Sequence, residues 1–380
     1  MADRPLGGTT VVDFSHYIAG SFATMMLADL GARVIKIEST VHLDGIRRRG
    51  PAPGRDTPIE RPGAYQFIHG KQSVDVNFRT PEGRAAVLDL VRGADIVVEN
   101  FRHGTLDRAD LGYPILAEAN PGVIVASVRA FLLSTRLRDV RAGAPAVQAI
   151  TGVDAGIGYP DGPPLALGRP MGDTVAGLYT AVSLLAALRR RSRSGHGEHL
   201  VIGIDQALVA TFATAHLAAE PVARAGNDRA GLAPNNFYRC AGQDAWLSIA
   251  CRSDAEWQGL VAALGAPAWT GDERFADRFA RVRHRRALDG HLAEWCRDQD
   301  PQVAADRLQS FGVAAVPLAG PAEQLADPHL AARGLVTWLD HAEVGPHPVV
   351  NTMFQLASVR STATHAAPAA GQDTAAVLGG

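Results

Sequence analysis

Short apolar runs alternate with helix-length amphipathic stretches through the first third of this chain, and this alternation restricts the fold more than any other feature. Thr9–Phe14 reads as a strand, Phe22–Leu30 as a helix and Val34–Glu38 as a strand. Pro81–Arg92 then reads as a helix, with Ile96–Glu99 and Val123–Val128 as strands. A βαβ succession of this kind predicts an α/β fold: a Rossmann-like parallel sheet with helices packed on it. Thr80 before Pro81 fits an N-cap with proline at the first helical position. In such sheets ligands bind outside the carboxyl ends of the strands. Ser15–Gly20, Asn100–Gly104 and the stretch from Arg129 onward are expected there. No GxGxxG follows a strand and no Walker-type loop is present, so neither a dinucleotide site nor a P-loop is supported.

Gly172-Asp173 is the most informative chemical feature. It precedes the apolar stretch Thr174–Leu188, which ends in Arg189, Arg190 and Arg191. Apolar helix formers closed by a basic cluster predict a helix, with Asp173 at its N-cap. One reading of Asp173 is a capping carboxylate worth about 1 kcal/mol. The other is a nucleophile, kept ionised and aimed by the same N–H groups and dipole. The residues alone leave both open.

The texture changes between Gly231 and Val316. Tyr238–Ala250 reads as a hairpin with a glycine-containing turn. Helical patterns follow around Glu256–Leu264, Arg286–Gln299 and Gln302–Phe311. Residues 231–316 are expected to form a smaller α+β domain after a large domain spanning 1–220. Net charge is −2, which suggests no nucleic-acid partner. No apolar run reads as long and clean enough to span a bilayer, and Met1-Ala-Asp-Arg-Pro lacks a signal-peptide core, so no membrane partner and a cytoplasmic location are expected. Cys240, Cys251 and Cys296 lack CxxC spacing and read as buried thiols, with no metal site. The Ala-rich stretch Ala366–Ala370 reads as a mobile surface segment.

Many segments, in order, resemble one family. They are Leu6–Gly20, Thr24–Glu38, Lys71-Gln-Ser-Val-Asp75, Thr80-Pro-Glu-Gly-Arg84, Ala94–Arg102, Leu325–Gly334 and Gly371–Leu378. Together they resemble the family III CoA-transferases, which include formyl-CoA transferases, carnitine CoA-transferases and α-methylacyl-CoA racemases. The resemblance implies transfer of coenzyme A between an acyl-CoA donor and a carboxylic acid acceptor, without a tightly bound cofactor. It implies an aspartyl covalent intermediate on Asp173, and an interlocked homodimer in which 317–380 returns to the CoA-binding large domain. By position it carries coenzyme contacts to His16, Tyr17, Ile18 and Ala19. It carries them also to Lys71 and Gln72, taken as a loop, and to Asn100, Phe101, Arg102, Thr105, Arg108, Arg129 and Arg141.

Spacing is closest to the formyl-CoA transferase branch, but with departures. That branch has a Tyr-Glu pair where this chain has Gly143 and Ala144, and its glycine-rich flap is not recognisable near Asn235–Asn236. An oxalate-specific site is therefore not expected. Phe131, Leu132 and Leu133 read either as core or as a less polar acyl pocket. Racemases of the family carry a histidine and an aspartate at the positions of Gly143 and Ala144. A racemase or isomerase, or a CoA-binding homologue with a drifted site, remain the alternatives.

Overall fold

The computed structural model describes residues 4–51, 56, 59–132, 136–140, 142–212, 223–352, 356 and 362–379. The chain divides into two compact units. One comprises Met1–Ala155, Leu165–Val222 and Pro328–Gly380; the other comprises Gly156–Pro164 and Ala223–Asp327.

In the first unit the strands are β1 (Thr10–Asp13), β2 (Arg33–Glu38), β3 (Arg49–Gly50), β4 (Ile59–Glu60), β5 (Lys71–Asp75), β6 (Ile96–Glu99), β7 (Ile124–Arg129) and β8 (Glu198–Gly203). β3 and β4 make a short antiparallel ladder. The other six form one parallel sheet in the order β5-β2-β1-β6-β7-β8. The chain therefore winds outward in one direction from β1 and then in the other from β6. The carboxyl ends of β1 and β6 flank the switch point, where open α/β sheets bind ligands. Val11, Val12, Ile35, Val97, Val98, Ile124 and Val125 bury the strands. These near-continuous apolar runs are what a doubly covered parallel sheet requires.

Among the described residues up to Thr211, the α-helices of this unit are α1 (Ala19–Asp29), α2 (Pro62–Ile68), α3 (Pro81–Arg92), α4 (Tyr113–Ala119), α5 (Ala144–Ile150), α6 (Met171–Ser194) and α7 (Ile204–Thr211). Thr80 caps α3 as expected, its hydroxyl accepting from the Gly83 N–H at 3.1 Å. α6 differs from expectation in two ways. Its N-cap is Pro170, so Asp173 lies inside the first turn and not at the cap. It is also long and apolar enough to cross a membrane, contrary to the sequence expectation. Here it is a packing helix, burying Ala176, Gly177, Thr180, Ala181 and Leu184. A Cβ at Gly177 would stand 2.8 Å from the Ala19 carbonyl oxygen, so α6 and α1 approach this closely only because residue 177 is glycine.

A hairpin of β12 (Val336–His341) and β13 (Gly345–Val350) precedes the tail. The tail is not a loose surface segment. Ala363 and Ala367 are buried. Asp373 and Thr374 bond to β5: Ser73 N–H donates to Asp373 Oδ2 at 2.8 Å, and Asp75 N–H to Thr374 Oγ1 at 2.9 Å. β5 is an edge strand, and covering it satisfies N–H groups that would otherwise invite pairing with another chain.

The second unit is a three-stranded antiparallel sheet of β9 (Asn235–Arg239), β10 (Trp246–Ala250) and β11 (Ala314–Pro317), in the order β11-β10-β9. Helices Asp254–Leu264, Arg285–Cys296 and Pro301–Ser310 share its core through Trp257, Leu260, Leu288, Leu292 and Leu308. Cys240, Cys251 and Cys296 are buried free thiols. Burial pushes Cys251 and Cys296 up to about 12.

Candidate active site

The loop from Ser15 to Ile18 leaves β1 at the switch point and enters α1 directly. Its backbone polar groups are bound by side chains from β1, β2, the residue after β6, and the cap of the Gly45–Arg47 turn. Ser15 N–H donates to Asp13 Oδ1 at 2.8 Å, and Lys36 Nζ donates to Ser15 O at 2.5 Å. His16 N–H donates to Asn100 Oδ1 at 2.8 Å, while Asn100 Nδ2 returns a bond to His16 O at 2.7 Å. Tyr17 N–H donates to Asp44 Oδ1 at 2.9 Å. Tyr17 itself has φ +57°, a left-handed conformation that costs a non-glycine residue about 1–2 kcal/mol. That cost is sustained because the surrounding bonds over-determine the loop.

Beneath the loop lies a chain of buried charges. Asp13 accepts from Lys71 Nζ at 2.9 Å, Thr24 Oγ1 at 2.7 Å and Ser15 Oγ at 2.5 Å. Lys36 pairs with Asp44 at 3.0 Å, both side chains fully enclosed. Arg47 grips Glu38 through two bonds of 2.7 Å and reaches Glu60. Burial works to raise Asp13, but the ammoniums of Lys71 and Lys36 outweigh it and hold the carboxyl at about 2. Burial likewise opposes the charge on Lys36, and Asp44 and Glu38 reverse the outcome and raise it. Burial lowers His16 despite Asp44 nearby, which favours the neutral imidazole.

Asp173 stands on the first turn of α6, half-buried. Among the described residues no donor bonds its carboxylate. Burial pushes it up to about 6, so the expectation that cap N–H groups hold it strongly ionised is corrected. Gly172 permits a close approach of helices. A Cβ there would meet Ile204 Cγ2 and Leu208 Cδ1, each at 3.0 Å, so this glycine lets α6 seat on α7. Ala19, Val128, Phe131, Val147, Ala176 and Ile204 form one apolar cluster, partly lined by Met171 and Val175. That cluster joins the start of α6 to the end of the loop that leads into α1 and to α5. Gly177, one turn beyond Asp173, is the residue seated against Ala19.

The remaining expected residues divide. Phe101 lies edge-on to His16, with centroids 5.1 Å apart, and close to Phe78. Asn100 has both amide atoms engaged by the His16 backbone. Arg129 is salt-bridged to Glu99 and donates to Phe101 O at 2.9 Å, so it braces the loop after β6. Arg102 and Arg108 are exposed and Thr105 half-buried in that same loop. Lys71 and Gln72 lie on β5, not in a loop. Lys71 is enclosed against Asp13, where burial lowers it, and Gln72 accepts from Arg33 Nε at 2.8 Å. Phe131 is buried core. Arg141 and Leu133 lie outside the described residues.

Sequence reasoning missed Asp13, Lys36, Asp44 and Glu99. The available signal was charge inside an apolar strand: Val-Ile-Lys-Ile-Glu cannot be buried on both faces unless Lys36 and Glu38 find partners. It also missed the loop after β5. There Phe78 packs against Phe14 and Phe101, and Arg79 is exposed at the same carboxyl edge. A cavity of about 630 Å³ opens beside the Ser15–Ile18 loop, bordered by His16, Tyr17, Asp44, Arg48, His341 and Ala369. Arg48 is exposed and has no ion-pair partner among the described residues.

Comparison with known proteins agrees along the whole chain. The family model described as CoA-transferase family III matches residues 6–374. Succinyl-CoA--D-citramalate CoA-transferase of Chloroflexus aurantiacus is 31% identical, covering 97% of this chain and 92% of its own. Acetyl-CoA:oxalate CoA-transferase of Acetobacter aceti is 32% identical over 87% of this chain and 85% of its own. The solved structure of a CAIB/BAIF family protein from Brucella suis superposes with a TM-score of 0.90 at 31% identity, covering 99% of each chain.

Proposed function

The chain belongs to CoA-transferase family III, and we propose that Asp173 carries the coenzyme A that it transfers. An acyl-CoA thioester is the donor substrate and a carboxylic acid the acceptor. The Asp173 carboxylate attacks the thioester carbonyl, and the CoA thiolate leaves an acyl-aspartyl anhydride. The thiolate then attacks the aspartyl carbonyl, which releases the donor acid and leaves an aspartyl-CoA thioester. The acceptor carboxylate attacks that thioester and expels the thiolate. The thiolate attacks the acceptor's carbonyl in the new anhydride, which gives the new acyl-CoA and restores Asp173. No net proton is exchanged, and one difficult exchange becomes several easier steps.

The observation that carries this reading is a half-buried carboxylate, unpaired among the described residues, on the first turn of α6 and one turn from the glycine seated on the coenzyme loop. With its pKa near 6, it is ionised about ten to one at neutral pH. Burial also strips hydration that would blunt a nucleophile. The N–H groups of Gly172 and Asp173, without acceptors among the described residues, support oxyanion stabilisation at the same turn. Arg79, Arg102, Arg108 and the cavity beside Arg48 support binding of the anionic end of the coenzyme.

The acids are larger than oxalate or formate. A Cβ at Gly143 would meet only Pro145 Cδ, at 3.9 Å, so the helix start of α5 leaves room. The relative named for succinyl-CoA and D-citramalate makes four- and five-carbon dicarboxylates the first acids to try. The protein works as a homodimer. Tyr179, Val182 and Leu185 form an exposed apolar ridge on α6, which a second copy would cover.

The test is CoA exchange from succinyl-, acetyl- and oxalyl-CoA to a panel of acids. Transfer is expected for the wild type, and a loss on the order of a thousandfold or more for Asp173→Ala. Undiminished transfer by that variant would refute the reading, and oxalate with formate as the fastest pair would refute the size argument.

A further inference from the structure

We propose that Lys36, Asp44 and Asn100 are positioning residues that hold the coenzyme loop in its binding shape and set CoA affinity through the loop backbone, without touching the coenzyme. The inference rests on the assignment of His16–Ala19 as the coenzyme loop.

Ser15, His16 and Tyr17 each present backbone groups to a fixed side chain: Lys36 on β2, Asn100 just after β6, and Asp44 at the cap of the Gly45–Arg47 turn. Lys36 takes Ser15 O, Asn100 takes both N–H and O of His16, and Asp44 takes Tyr17 N–H. Asp44 Oδ1 also accepts from Ile46 N–H at 3.0 Å, which ties the loop to the turn at Gly45–Arg47. That turn seats the Tyr17 ring, since any Cβ at Gly45 would overlap it. The Lys36 and Asp44 side chains have no exposed surface, and the carboxylate oxygens of Asp44, which borders the cavity, are taken by Tyr17 N–H, Ile46 N–H and Lys36 Nζ.

A buried ion pair is weak evidence for stability, because desolvation offsets the attraction; fixing one conformation is its better-attested use. Here the conformation fixed includes the left-handed Tyr17. A loop already in its bound shape avoids ordering costs when the ligand arrives.

The experiment measures the dissociation constant of free CoA by calorimetry, and acyl-CoA and acid KM by steady-state kinetics. Lys36→Met is expected to weaken CoA at least about tenfold, with kcat at saturation within about twofold and acid KM unchanged. His69→Gln is the control. His69 pairs with Asp29 at 3.0 Å, equally buried, without bonding to the loop. It should lower the melting temperature and leave CoA affinity unchanged.

Asn100→Ala provides a second route should Lys36→Met fail to fold, since Asn100 is only half-buried. It should weaken CoA in the same direction. In the folded pair, the double variant should lose less than the sum of the two, because both act through one loop. Wild-type CoA affinity in Lys36→Met or Asn100→Ala, additive losses in the double variant, or an equal loss in His69→Gln would overturn the inference. A wild-type protein that neither binds CoA nor transfers it would overturn the assigned function itself.

Discussion

Asn100 and His16 exchange two hydrogen bonds, of 2.8 and 2.7 Å, across the switch point between β6 and β1. Asn100 thus holds the backbone of His16, a second residue for which a coenzyme contact is expected. The bond joins the two loops at the place where the sheet's topology opens a crevice. Through Ala19 and Gly177 the same loop is tied to the helix that carries Asp173.

Gly177→Ala tests that tie. The new methyl would stand 2.8 Å from the Ala19 carbonyl oxygen, a backbone atom that cannot swing aside. A stability loss of about 2–3 kcal/mol is expected, from denaturant unfolding, with acyl-CoA KM raised as the coenzyme loop is displaced. An unchanged midpoint would show that α1 and α6 are not in close contact.

Gly45→Ala tests the seat of Tyr17. The clash is with the far end of a flexible ring, so stability should fall by only about 1 kcal/mol or less. The ring must leave its position, and KM for acyl-CoA should rise several-fold. A larger loss of stability than of affinity would contradict this division.

Much of this was legible in the sequence. The apolar strands and the capped α3 follow from local pattern, because period and cap chemistry act over a few residues. β5 was not legible. Lys71-Gln-Ser-Val-Asp offers Val74 as its one apolar residue, and its strand character comes from β2 on one side and the tail on the other. The start of α6 was misplaced because the apolar run begins only at Thr174, which puts Asp173 at the cap. The helix begins earlier since Met171 packs in the cluster and Gly172 fits against α7, contacts distant in sequence. The charge chain from Asp13 to Glu60 was visible only as isolated charges, since pairing needs three dimensions.

The titration of Asp173 makes two linked expectations. kcat/KM should fall about tenfold per pH unit below about 6, as the nucleophile protonates. Its folded pKa is raised, so the native state binds the extra proton between about 4 and 6 and loses stability as pH rises through that window. Asp173→Asn should therefore unfold at higher temperature than the wild type at pH 8, by on the order of 1 kcal/mol, with the gain vanishing near pH 4. A pH-independent rate between 5 and 8, or a variant less stable at pH 8, would contradict the assignment.

The apolar ridge on α6 predicts self-association. Light scattering after size exclusion should give twice the chain mass, and Val182→Asp should shift it towards the monomer with loss of activity. Val182 is 66% exposed in the single chain, so this substitution strains nothing unless a second copy covers it. A fully active monomer would contradict the proposed homodimer.

Intact-protein mass spectrometry after brief incubation with an acyl-CoA would detect the proposed covalent aspartyl-CoA itself. A CoA adduct is expected on the wild type, released by hydroxylamine, mapped by peptide digestion to Asp173 and absent from Asp173→Ala. Continued turnover by Asp173→Ala, with no adduct at Asp173 in an active wild type, would contradict it.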